Sequence, residues 1–92
     1  MILSYKNKAL ELLLNEGISR GLPPELGTKI RIRLSAIDSA TDVNQFRIPS
    51  YRLHELKGDR AGTWSIKVSG NWRITFKFKN ESAYDVDFED YH

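Results

Sequence analysis

The chain has 92 residues, of which 40% are hydrophobic and 28% charged, so it forms one globular domain spanning residues 1–92 and has no room for a second core. It has no cysteine, no apolar run near the ~20 residues of a membrane span and no signal peptide, which predicts a cytoplasmic protein without disulfides, thiolate metal sites or a membrane partner. The net charge is +2, but the charges are unevenly distributed: residues 1–80 have 14 Lys and Arg and 7 acidic residues, whereas residues 81–92 have 5 acidic residues and no Lys or Arg. Most of the surface can therefore bind a polyanion.

Helical spacing dominates the first half of the chain. Apolar residues recur between 9 and 14 at the spacing of one helix face, Ser4 or Asn7 can cap the start, and Gly17 provides a stop. A second apolar stripe follows two prolines and predicts a helix from about 24 to 40. Two short amphipathic helices with a short connection should form a helical hairpin.

Alternation of apolar and polar residues dominates the second half. A first strand is predicted over 51–56, followed by turn residues at 57–62. Three longer alternating segments follow, over 64–69, 72–79 and 84–89. The predicted fold class is α+β, with the helical hairpin packed on one face of a four-stranded, mainly antiparallel twisted sheet.

The alternation also predicts a register, since the apolar faces must stay together. Three-residue connections at 69–71 and 80–82 satisfy it. The predicted opposed pairs of charged residues are Lys67 with Arg73, Arg73 with Glu89, and Lys77 with Asp85. Opposed Lys and Arg repel by some tenths of a kcal/mol, so Glu89 or a bound phosphate should compensate.

Four motifs in the second half resemble those of one protein family. They are LHELKGDR at 53–60, G-x-WSI at 62–66, NWRI-x-F at 71–76 and a terminal DYH at 90–92. Together they look like the HigB toxins of bacterial toxin–antitoxin systems, in the wider RelE/ParE superfamily, and the agreement in length and element order extends over essentially the whole chain.

The resemblance implies a RelE-like fold and a ribosome-dependent endoribonuclease, an mRNA interferase that cuts mRNA in the ribosomal A site and so inhibits translation. It implies a helix-turn-helix, HigA-like antitoxin that neutralises the toxin and connects it to operator DNA. The site residues it implies are catalytic His54, Asp90, Tyr91 and His92, with Lys57 and Arg73 as phosphate-binding candidates.

The chemistry is coherent without the family. RNA cleavage requires no metal or cofactor when the 2′-OH attacks the adjacent phosphorus in line, so we expect none. Histidine suits both proton transfers because its unperturbed pKa is about 6.5, and Arg or Lys can stabilise the phosphorane. His54 and His92 supply the imidazoles, Asp90 can orient a histidine or act as base, and Tyr91 can stack or donate a hydrogen bond.

Alternation limits which of these residues can meet. Arg73 and Tyr91 fall on the polar face of the sheet, and His54 joins them if the preceding leucine points inward. Asp90 has the parity of Phe88 and reaches that face only if the strand kinks or ends near residue 89. The assignment of proton roles between His54, Asp90 and His92 therefore stays open. The two tryptophans, at 64 and 72, are expected in the core.

Other basic residues have two interpretations. Lys29, Arg33, Lys77 and Lys79 are ordinary solvated side chains in most proteins, but on a ribosome-binding protein they become candidate rRNA contacts. Lys29 and Arg33, if exposed on the hairpin, could instead meet an acidic antitoxin segment. Two alternative functions stay open as well: a non-catalytic inhibitor of DNA gyrase, similar to the ParE branch, and a binding module that acts only within a repressor complex.

Overall fold

The computed structural model describes residues 1–90 and has the predicted α+β architecture. Two helices, α1 (Lys8–Glu16) and α2 (Gly27–Ser39), precede four strands. The strands are β1 (His54–Glu55), β2 (Thr63–Ser69), β3 (Trp72–Lys79) and β4 (Ser82–Asp90), and they form one antiparallel sheet in the order β1-β2-β3-β4. No helix within residues 1–90 has the length and apolar character to cross a membrane.

Helix α1 begins and ends where its sequence predicts. The Asn7 side chain accepts a hydrogen bond of 3.0 Å from the Ala9 amide, which satisfies one of the first-turn donors. Gly17 adopts the left-handed conformation, with φ of +75°, and its amide bonds the Leu13 carbonyl at 2.9 Å. Glycine is favoured there because it has no Cβ to clash in that conformation.

Helix α2 confirms the second helix, with one refinement at its start. Residues Pro24–Leu26 form a 3₁₀ turn, and the α-helix proper runs from Gly27 to Ser39. Its apolar stripe is buried, and both helices pack on one face of the sheet. The fully buried apolar side chains of the core, all at 0% exposure, are Leu10, Ile30, Leu34, Ile37, Ile66, Ile74, Phe76, Ala83 and Val86.

The register at the β2–β3 and β3–β4 centres is as predicted. Lys67 is opposite Arg73, and Arg73 is opposite Glu89. Trp72 stacks on Phe88 at a centroid distance of 4.5 Å, and both tryptophans are partly buried against the core. Partners directly across a sheet share a face, so Lys67, Arg73 and Glu89 all lie on the side away from the helices.

The predicted pairing of Lys77 with Asp85 is wrong, because the predicted three-residue connection at 80–82 is wrong. The predicted three-residue connection at 69–71 is wrong as well. Each hairpin turns in two residues, and in the second both Asn80 and Glu81 have positive φ, at +52° and +63°. Such turns match the twist of the strands. Lys77 consequently lies opposite Tyr84. A bulge at Asp85, with φ of +53°, restores the predicted register before residue 87.

The predicted first strand, 51–56, is much shorter than expected. Residues Pro49–Tyr51 form a 3₁₀ turn, Arg52 has a left-handed φ of +48°, and only His54–Glu55 pairs with β2. Proline at the first position of the turn is preorganised for helical geometry, which delays the extended conformation. The leucine at 53 is packed against the core, so His54 does point to the polar face, opposite Ser65.

The N-terminal segment pairs with β4 on the edge away from β3. Isolated parallel bridges join Ile2 to Ala83 and Tyr5 to Val86. Burial raises the pKa of Tyr5 to about 12, with smaller contributions from the negative charges of Asp38 and Glu11. The segment therefore covers the first part of an edge strand that would otherwise be open.

Candidate active site

The polar face of the sheet carries the side chains that are candidates for chemistry. Its central row, from β1 to β4, consists of His54, Ser65, Thr75 and Asp87. Ser65 and Thr75 are 0% and 2% exposed, although they lie on the side without helices. Long charged side chains from neighbouring rows must therefore cover this small polar floor.

Arg60 provides part of that cover. It lies in the 3₁₀ turn Gly58–Arg60, and its guanidinium donates to both carboxylate oxygens of Glu89, from Nη1 at 2.8 Å and from Nη2 at 2.6 Å. The Thr75 hydroxyl also donates to the Glu89 carboxylate. The hydrogen bond from Arg60 is the largest reason that the pKa of Glu89 lies below its ordinary value, against the opposing effect of burial.

An open cleft of about 330 Å³ lies beside this face, next to β1. Its lining residues are His54, Glu55, Leu56, Lys57 and Arg60. The His54 ring is exposed, and its Nδ1 lies 3.3 Å from the Arg52 carbonyl oxygen. The Glu55 carboxylate closes the loop between β1 and β2, because it accepts a hydrogen bond of 3.0 Å from the Gly62 amide.

Arg73 completes the cationic part of the face. It is half-buried at the start of β3, where Lys67 flanks it on one side and Glu89 on the other. Its Nε and Nη1 atoms are buried. Glu89 was expected to compensate Arg73, and the register supports this, but the bidentate ion pair of Glu89 is with Arg60. The structure thus places His54 and Lys57 in one cleft and Arg73 on the same polar face, two strands away on β3.

Asp90 is at the end of β4 and lies opposite Trp72, which packs against the core. The strand continues straight to Asp90, so the kink that would turn this carboxylate to the polar face is not found. Asp90 is therefore on the helix side of the sheet, while His54 and Arg73 are on the other. Tyr91 and His92 lie outside the described residues.

Arg33 is not the exposed side chain that was expected. It is half-buried, its Nε donates to the Lys67 carbonyl at 2.8 Å, and its guanidinium lies 4.7 Å from the centroid of the Tyr51 ring. These contacts attach α2 to the sheet, so Arg33 is a structural residue. Lys29, one turn earlier, is exposed as predicted.

Lys77 and Lys79 are exposed at the far end of β3. Lys77 is 3.8 Å from an Asp85 carboxylate oxygen, so the two charges still meet although they are not opposed in the register. Both lysines line a second open cleft, of about 420 Å³, with Asn80 and Tyr84. This end of the sheet remains a candidate rRNA contact.

Two kinds of residue were missed by the sequence analysis. Arg60 lies within the LKGDR motif but received no role, and the buried hydroxyls of Ser65 and Thr75 were treated as polar alternation. Ser65 and Thr75 are small residues at the centre of β2 and β3, and this small size was the available signal that longer side chains cover them. Within residues 1–90, no three His, Cys, Asp or Glu side chains cluster as metal ligands would.

Comparisons with known proteins agree with this architecture. The family model of the RelE-like toxin of the type II toxin–antitoxin system HigB matches residues 3–92. The chain is 50% identical over 92 residues to a Proteus vulgaris protein named Endoribonuclease HigB, and the match covers all of both chains. A crystal structure of a variant of YafQ from E. coli superposes with a TM-score of 0.62 at 17% identity, covering 98% of this chain and 91% of that one.

Proposed function

This chain belongs to the HigB family of RelE-like toxins of type II toxin–antitoxin systems, and we propose that it acts as an endoribonuclease that cuts mRNA in the A site of the ribosome. The observation that carries the proposal is that His54 and Lys57 line one cleft and that Arg73 lies on the polar face of the sheet beside it. A relative of identical length and half-identical sequence, itself named an endoribonuclease, supports the reaction class.

The proposed reaction uses the RNA as its own nucleophile. The 2′-OH loses its proton and attacks the adjacent phosphorus, the P–O5′ bond breaks, and the leaving 5′-oxygen takes a proton. The products are a 2′,3′-cyclic phosphate and a 5′-hydroxyl. The protein has to move two protons and stabilise the negative charge that builds up on the phosphorane, and this route requires no metal.

His54 is suited to one of the two proton transfers. Its ring is exposed at the cleft, and if Nδ1–H donates to the Arg52 carbonyl, Nε2 has the lone pair that can accept a proton from the 2′-OH. Lys57 lines the same cleft and Arg73 flanks the polar floor, so both can approach phosphate oxygens. We propose that Tyr91 and His92 complete the site, with the second proton role on His92, because Asp90 lies on the helix side of the sheet, away from His54 and Arg73.

The proposed partners follow from the family and the charge. A type II toxin has an antitoxin; we propose a helix-turn-helix, HigA-like protein that also brings the toxin to operator DNA. The ribosome would bind the basic surface, including exposed Lys29, Lys77 and Lys79, through rRNA phosphates. Ribosome and mRNA are cytoplasmic, so we propose that compartment for the toxin.

The reaction is tested on a defined mRNA with the purified toxin, with and without ribosomes. We expect cleavage only with ribosomes, a 2′,3′-cyclic phosphate end, and no cleavage when a 2′-deoxynucleotide replaces the nucleotide 5′ to the cut. A 5′-phosphate end, or cleavage of the 2′-deoxy substrate, would contradict the 2′-OH mechanism. Intact mRNA with DNA damage after expression would instead favour a gyrase inhibitor.

The site is tested with His54→Ala and His92→Ala. Each should slow cleavage by roughly 10²–10⁴-fold, the range that a positioned acid or base contributes. Lys8→Ala, an exposed residue at the start of α1, is the control and should retain the wild-type rate. Full cleavage by His92→Ala would exclude His92 from the proposed site. Full cleavage by His54→Ala would contradict the catalytic role of His54 and with it the proposed site.

A further inference from the structure

Among residues 1–90, Tyr84 is the aromatic side chain that does not belong to the apolar core. The other aromatic rings of that part of the chain are buried in the core or pack against it. Tyr84 is half-buried on β4 and lies opposite Lys77 of β3, so its ring is on the polar face of the sheet. The core therefore does not account for the presence of this ring.

The β-bulge at Asp85 is what places Tyr84 on the polar face. Val86 is fully buried in the core, and regular alternation would put Tyr84, two residues before it, on the same side. The extra residue of the bulge reverses this, although Asp85 has to adopt a left-handed φ of +53°. The Asp85 amide donates to the Ser4 hydroxyl at 2.8 Å, which stabilises the bulge.

Two lysines line the same open cleft of about 420 Å³ as the Tyr84 ring. Lys77 is directly opposite Tyr84, Lys79 follows two residues later on the same face, and both are exposed. The Asp85 carboxylate lies 3.8 Å from Nζ of Lys77 and offsets part of the positive charge. Two lysines and one carboxylate leave the lining of the cleft with a net charge of +1.

An accessible aromatic ring between lysines matches an unpaired nucleotide. A base that is free of its duplex can stack on the ring, and lysines can contact the phosphates on either side of it. A base pair inside a helix offers no such face, because its neighbours in the duplex already cover it. Lysines alone would indicate only phosphate binding, so the tyrosine is what indicates an unpaired base.

The position of this cleft separates it from the proposed cleavage site. Lys77 and Lys79 are four and six residues from Arg73 along β3, which is about 13 and 20 Å at 3.3 Å per residue. We propose that the cleft binds an unpaired nucleotide of rRNA, with the base stacked on Tyr84 and the flanking phosphates contacted by Lys77 and Lys79. The inference rests on the proposed ribosome-dependent function, in which the mRNA occupies the Arg73 end of the face.

Stacking is tested by the affinity of the full-length toxin for ribosomes without mRNA, with urea unfolding of each variant recorded alongside. Tyr84→Ala should weaken binding by about 5- to 100-fold, the effect of losing one stacked base. Tyr84→Leu should weaken it similarly, because leucine is apolar but has no flat ring. Tyr84→Phe, the matched control, should stay within about twofold of wild type. If Tyr84→Ala does not fold, the comparison of Leu with Phe decides; equal affinities for these two would overturn stacking.

The phosphate contacts are tested by the salt dependence of the same affinity. Lys77→Ala and Lys79→Ala should each reduce the slope of log affinity against log salt by about 0.7–1, as expected when one phosphate contact is lost. Tyr84→Ala should leave the slope unchanged, because stacking releases no counterion. Lys8→Ala removes an equal charge from the start of α1 and should also leave it unchanged. Unchanged slopes for both Lys77→Ala and Lys79→Ala would overturn the phosphate contacts.

The outcomes separate this inference from the proposed function. A wild-type toxin that does not bind ribosomes would overturn both, whereas equal ribosome affinity of wild type and Tyr84→Ala would overturn the inference alone. Normal binding of mRNA-free ribosomes by Tyr84→Ala, combined with a raised KM for mRNA cleavage, would assign the cleft to mRNA and overturn the assignment to rRNA.

Discussion

The attachment of α2 to the sheet by Arg33 gives the sharpest prediction for stability. Arg33→Ala removes the 2.8 Å hydrogen bond to the Lys67 carbonyl and the contact with the Tyr51 ring. A hydrogen bond from a charged group contributes about 1.5–3 kcal/mol, and a partly exposed cation–π contact adds about 0.5–1 kcal/mol. Because Arg33 is only half-buried and alanine is a slightly better helix former, we expect a net loss of about 2 kcal/mol.

Urea unfolding followed by circular dichroism measures this loss. For a chain of this size, about 2 kcal/mol lowers the midpoint by roughly 1 M urea and the melting temperature by roughly 10 °C. Lys29→Ala is the matched control, since Lys29 is exposed one turn earlier on the same helix, and it should change stability by less than about 0.5 kcal/mol. Equal unfolding midpoints for the two variants would refute the structural role of Arg33.

Three further changes test individual contacts. The pKa of Glu89 in the folded chain is below its ordinary value of 4.5, so the ion pair with Arg60 stabilises the fold above pH 4.5, and this stabilisation is lost as the pH falls through the folded pKa. The difference in unfolding free energy between wild type and Glu89→Gln should therefore shrink from pH 7 to pH 3. A difference that stays constant with pH would contradict this. Glu81→Gly should raise the free energy of unfolding by about 0.5–1 kcal/mol, and with it the melting temperature, because Glu81 has a φ of +63° in the turn after Asn80. An unchanged or lower melting temperature would count against backbone strain at this position. Asn7→Ala should cost about 1 kcal/mol in chemical unfolding, while Asn7→Ser retains most of the stability; equal losses would show that the cap is not the cause.

Local signals in the sequence were sufficient for most of the fold. The cap at Asn7, the stop at Gly17 and the period-two strands each depend on a few neighbouring residues, and each is confirmed. The connection after Lys79 was not predictable in the same way. A two-residue turn with a compensating bulge at Asp85 and a three-residue turn without one lead to the same pairing of Arg73 with Glu89.

The candidate site was less predictable because its contacts join distant segments. Alternation places Arg73 opposite Glu89, but it has no information on a loop residue such as Arg60, which reaches the same carboxylate across 29 positions of sequence. Arg33 shows the same limit, since a helix position next to an apolar stripe is solvated or half-buried according to what packs beside it. In this fold the 3₁₀ turn with Tyr51 packs there.

The pairing of the N-terminal segment with β4 sets the order in which the chain can assemble during translation. The Ser4 hydroxyl accepts from the Asp85 amide at 2.8 Å, and 81 positions of sequence separate these residues. Closing a loop of that length costs about 4 kcal/mol of chain entropy before any contact compensates for it. The segment around Ser4 therefore pairs only after β4 has left the ribosome, and the ion pair of Glu89 with Arg60 forms only then. A nascent chain of this fold therefore lacks the ion pair across its polar face until β4 has been synthesised.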